Sequence, residues 1–108
     1  MSNSIENQIK ELIAIEIKGN FSITNLHGVD LKKCLVEPFR HIFEKSFREG
    51  EFVELFVILK EHPQTSEGYL IVYNPQEKLF GLVLQGKQGN QPLLLGYYDT
   101  FLEALQGI

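Results

Sequence analysis

Between Phe52 and Leu84 the chain carries three runs, LFVIL, YLIVY and LFGLVL, that are apolar on consecutive residues. A strand with one wet face alternates apolar and polar side chains, because successive side chains point to opposite sides. Unbroken apolar runs belong to strands covered on both faces. Pro63 stops the first strand (Phe52–Leu59), and Gly68 and Asn74-Pro75 frame the second (Tyr69–Tyr73). The third covers Leu79–Leu84, where Gly81 predicts a bulge or a close approach by a neighbouring element. Gly86–Pro92 (GKQGNQP) reads as a mobile loop, and Leu93–Tyr97 as a short fourth strand. Whatever the chain folds into must hide two faces of a sheet.

Terminal helices supply part of that cover. Ile5, Ile9, Leu12 and Ile13 recur at helical spacing behind Ser4, a good N-cap. The alternation of Ile13, Ile15 and Ile17 then predicts a short strand near Ile15, with Gly19-Asn20 as a two-residue turn before Phe21 and Ile23. At the other end Thr100 and Glu103 form a capping box, Gly107 suits a left-handed cap, and Phe101, Leu102 and Leu105 form an apolar stripe. Residues 31–49 are ambiguous. Leu35, Phe39, Ile42, Phe43 and Phe47 fit a helix, while Phe39, His41, Phe43 and Phe47 also alternate as in a strand. Spacing alone leans slightly to helix, and such a helix would cover the second face of the sheet. The competing cover is a second copy of the chain, since large exposed apolar patches are unusual on monomers.

These elements predict an α+β fold, an antiparallel β-sheet of four to six strands flanked by N- and C-terminal helices, with residues 1–108 forming one domain. Charge narrows the function. Residues 1–50 balance seven Lys/Arg against seven Asp/Glu, whereas residues 51–108 set three lysines against seven acids. Lys32-Lys33 is the only adjacent basic pair, so nucleic acid, which demands clustered cations, is not an expected partner. The apolar runs are too short to span a bilayer, and MSNSIENQIK lacks the features of a signal peptide. With one cysteine and no internal disulfide, the expected location is cytoplasmic.

From LFVILKEHPQTSEGYLIVYNPQEKLFGLVLQG through LGYYDTFLEALQGI the chain resembles a family of small uncharacterised bacterial proteins. They read as a hydrophobic strand ending in acidic residues, then GY-x-IV, FGL and a G-Y-Y/F-x-x-F-L-x-x-L-x-G-hydrophobic ending. The likeness spans roughly residues 54–108. It implies an extended CLVEP segment, which draws residues 39–47 toward a strand. The DTFLEAL helix is also similar to bacterial immunity domains of the SMI1/KNR4 type, although their N-terminal part has no counterpart here. Neither resemblance supplies a catalytic residue.

The polar constellations are thin. His27, Cys34 and His41 are spaced by seven. A seven-residue helical step rises about 10 Å, whereas ligands of one zinc lie about 2 Å from it, so no metal or other cofactor is expected. Cys34 as a nucleophile would need a base and a positive environment, and a buried structural thiol is the plainer expectation. Glu61 and His62 are adjacent, and in a strand would point to opposite faces unless the strand had already ended. No glycine string has the form of a phosphate loop. Tyr97, Tyr98 and Asp99, between a strand and a helix, are the preferred residues for contact with a ligand or partner. The expected function is a non-catalytic protein-interaction module, with an immunity-like or regulatory role as its sharper form and a protein or a second copy as partner. The alternative is a small enzyme or ligand-binding protein with a site near Tyr97, Tyr98 and Asp99 or around Cys34 and His41.

Overall fold

A computed structural model describes residues 4–44, 50–65, 67–85 and 92–108. Its elements run α1 (Ile5–Ile17), α2 (Leu31–Cys34), β1 (Leu35–Glu44), β2 (Phe52–Lys60), β3 (Gly68–Asn74), β4 (Leu79–Gln85), β5 (Leu93–Tyr98) and α3 (Phe101–Gln106). The strands form one five-stranded antiparallel sheet in the order β1-β2-β3-β4-β5. With α1 and α3 this is the expected α+β architecture. No helix among the described residues is long and apolar enough to cross a membrane.

Three local expectations are corrected. There is no strand at Ile15. Ile13 and Ile17, four residues apart, are buried together while Ile15 is 68% exposed, as one continuous helix requires. Lys18 ends that helix in the left-handed conformation (φ 50°), its N–H bonded to the Ala14 carbonyl, and Gly19 (φ 76°) completes the stop. Residues 31–44 are not one helix. A single turn capped by the Asp30 carboxylate gives way at Leu35 to a strand of ten residues. Pro38 disfavours helical backbone at Glu37, and β2 offers a full ladder of partners instead. Residues 45–49 of that segment, and all of the GKQGNQP loop before Pro92, lie outside the described residues. Finally, Gly107 is right-handed (φ −76°). A Cβ there would lie 2.6 Å from the Tyr98 hydroxyl, so a larger residue would have to displace that ring.

The sheet is covered on both sides by different means. On one face Phe56, Leu59, Ile71, Tyr73, Phe80 and Leu82 meet Ile9, Ile13 and Ile17 of α1 and Phe101, Ala104 and Leu105 of α3. On the other, Phe43, Leu55, Val57, Leu70, Val72 and Val83 form a second core with Val36, Val53 and Leu94, all from strands. Register shifts interrupt the pairings of β1 with β2, β2 with β3 and β4 with β5. Such bulges bend a sheet and increase its twist. The edge strands β1 and β5 come within 8 Å of each other without pairing, so the sheet curls over its own second face. Gly81 sits inside this curl in regular register with Val72. A Cβ there would lie 2.9 Å from Val72 Cγ2 and 3.4 Å from Tyr97 Cδ1. Close approach, not a bulge against β3, explains the glycine.

Candidate functional site

Strand geometry separates the residues singled out beside α3. Tyr97 lies opposite Gly81 and faces the curl, whereas Tyr98 lies opposite Phe80 and faces the helices. The Tyr97 hydroxyl accepts a hydrogen bond from Asn74 Nδ2 at 3.2 Å. Asn74 is 5% exposed, and its Oδ1 accepts the N–H groups of Gln76 and Glu77, which fixes the β3–β4 turn. Tyr98 borders a shallow depression with Leu102, Glu103, Gln106 and Gly107. Asp99 is exposed in the turn between them. These three residues do not converge on one cavity. The backbone N–H groups of α3 are also occupied: Glu16 accepts from Phe101 (2.8 Å) and Leu102 (3.0 Å), and the Thr100 hydroxyl accepts from Glu103 (3.1 Å). The Glu103 carboxylate accepts from the Thr100 hydroxyl at 3.0 Å, where a full capping box would have it accept the Thr100 backbone N–H.

Cys34 and His41 are also kept apart. Cys34 is buried in the helix-side core, its thiol 3.5 Å from the Glu61 carbonyl oxygen to which it donates. His41 is exposed on β1 and meets Phe43 edge-on at 4.8 Å between ring centroids. Burial pushes the Cys34 thiol above its ordinary pKa, and the negative charges of Asp30 and Glu61 act in the same direction. A thiol whose folded pKa is raised favours folding fully below the unfolded value of about 8.5 and loses that contribution as pH climbs through the folded value. Native Cys34 is therefore expected to react with iodoacetamide at pH 8 at least about tenfold more slowly than in the urea-unfolded chain. Equal rates would make it an accessible nucleophile.

The structure does assemble one polar cluster that spacing did not reveal. β2 ends at Lys60, so Glu61 and His62 escape the alternation of a strand. The Glu61 carboxylate, 11% exposed, accepts the Tyr69 N–H at 3.0 Å and pairs with His27 Nδ1 at 3.0 Å, while His62 Nε2 lies 3.7 Å away. The carboxylate favours the tautomer of His27 that carries its proton on Nδ1. Gly68 (φ 91°) lies beneath, where a Cβ would sit 2.8 Å from Glu61 Oε1. The pair resembles the base of a hydrolase, yet the neighbouring thiol is protonated and turned to a carbonyl. The cluster ties the loop before α2 to the end of β2 and the start of β3. Among the described residues, no group of three or more His, Cys, Asp and Glu side chains is placed to hold a metal ion.

A surface feature of another kind lies on β1 and β2. β2 pairs with β3 only from Phe56 onward, so residues 42–44 and 52–54 form a two-stranded ribbon beyond the rest of the sheet. Ile42 lies opposite Glu54 and Phe52 opposite Glu44, which makes Ile42 and Phe52 diagonal neighbours on one face. Each is 61% exposed. Arg40 shares that face, its Nε 3.8 Å from Glu54 Oε1 and its guanidinium 5.6 Å from the Phe56 ring centre. Comparison with known proteins finds no matching family model, no matching curated protein and no matching solved structure.

Proposed function

We propose that this chain is a non-catalytic protein-interaction module whose contact surface is the β1–β2 ribbon. The observation that carries the reading is the pair Ile42 and Phe52, two large apolar side chains exposed as diagonal neighbours on one face of the ribbon. A charged rim of Arg40, Glu44 and Glu54 surrounds them, the arrangement of an apolar centre with a polar border that protein interfaces favour. A cytoplasmic setting in a bacterium agrees with one buried, unpaired thiol and with the resemblance over residues 54–108. The sharper form, an immunity-like protein that masks a basic partner, draws on the acidic excess of residues 51–108. Immobilised wild-type chain and Phe52→Arg, incubated with lysate of cells that express the protein, should retain different proteins by mass spectrometry. With the baits isotope-labelled so that a captured copy of the chain is told from the bait, identical sets from the two baits, both folded, would remove the ribbon as a contact surface.

A further inference from the structure

We infer that the partner of the ribbon is a second copy of the chain, paired antiparallel through β1 about a two-fold axis at Ile42. This rests on the interaction reading above and names its occupant. β1 is an edge strand of ten residues; β5 comes within 8 Å of it, but among the described residues its outer side pairs with no strand. Phe39, Arg40, His41 and Ile42 are all exposed along it. Long exposed edges with apolar side chains are templates for another strand.

The order of residues along that edge selects a second copy. In Arg40-His41-Ile42-Phe43-Glu44 the ends carry opposite charges, an aromatic ring stands one step in from each end, and an aliphatic side chain is central. An antiparallel pair centred on Ile42 sets Arg40 against the partner's Glu44, His41 against the partner's Phe43 and Ile42 against the partner's Ile42. The Phe43 ring is buried in the second core of its own chain, edge-on to His41, so this position adds little to the pairing. Side chains must stay on their own face, so the register can move only in steps of two. A step one way sets Arg40 against Ile42; a step the other way sets Glu44 against it. Only the centred register matches charge with charge. Arg40, Ile42 and Glu44 share the face that carries Phe52, so the apolar strips of both copies join across the axis. The result is a closed, isologous dimer with a continuous ten-stranded sheet, five strands from each copy.

Sedimentation equilibrium over the micromolar range tests this with four proteins: wild type, Arg40→Glu, Glu44→Arg and the double exchange R40E/E44R. The wild type should dimerise. Each single change sets like charges against each other at both ends of the pairing and should weaken association by about tenfold or more. The double exchange should restore it. Arg40→Glu also places two carboxylates together within the chain, at Glu54, so thermal unfolding is checked for each protein and Glu44→Arg gives an independent arm. A wild type that stays monomeric at high micromolar concentration overturns the self-pairing, while the ribbon reading is decided separately by the Phe52→Arg comparison. A dimer indifferent to both single changes, or not restored by the double exchange, overturns the register and the edge together.

Discussion

Replacing Phe101 by Ala is expected to lower stability by about 3–5 kcal/mol, the range for emptying the space of a buried aromatic ring. The ring has no exposed surface and meets Phe80 at 6.0 Å between centroids, at an angle that presents an edge to a face. It is the main wedge of α3 into the helix-side core, alongside Ala104 and Leu105. Equilibrium urea denaturation measures the loss directly. A change below about 1 kcal/mol would mean that the site collapses around the cavity or that α3 is only loosely docked.

Glu16→Ala should cost about 2–3 kcal/mol, because a hydrogen bond to a charged acceptor contributes about 1.5–3 kcal/mol and this carboxylate accepts two. The sum falls short of two full bonds because the side chain is only partly buried. The first four N–H groups of α3 are all accounted for: Phe101 and Leu102 by Glu16, Glu103 by the Thr100 hydroxyl and Ala104 by the Thr100 carbonyl. A helix of six residues has little stability of its own, so its docking depends on these bonds and on Phe101. Glu16→Gln keeps one acceptor and should lose less. If Glu16→Ala cost nothing by urea denaturation, water would be replacing the carboxylate. Since both residues hold the same helix, the double variant should lose less than the sum.

The central strands and both terminal helices were legible because their signals are local: consecutive apolar residues, framing Gly and Pro, and a capping box. β1 was ambiguous for a geometric reason. Phe39 and Phe43 are four residues apart, and that spacing returns to the same face in a helix and in a strand alike. Ile13 and Ile17 misled in the same way, since the exposed Ile15 between them imitates alternation. The curl of the sheet was illegible because its bulges are offsets between strands and leave no mark on either one alone. Glu16 with Phe101, His27 with Glu61 and Asn74 with Tyr97 are pairs brought together by tertiary structure, and no residue near any of them announces its partner. The Tyr97-Tyr98-Asp99 string suggested one site, yet consecutive strand positions diverge.

The strand order has a consequence for the sequence of events in folding. Each strand pairs only with its neighbours along the chain, so the whole sheet can assemble by successive short closures. The joint between Glu16 and α3 instead spans 85 residues and gains nothing until both ends are in place. The meander is then expected to form in the rate-limiting step, with the clasp between the terminal helices closing after it. On that ordering the free energy lost in Glu16→Ala emerges as faster unfolding with nearly unchanged refolding. Refolding slowed in proportion would place the clasp before the barrier and reverse the order.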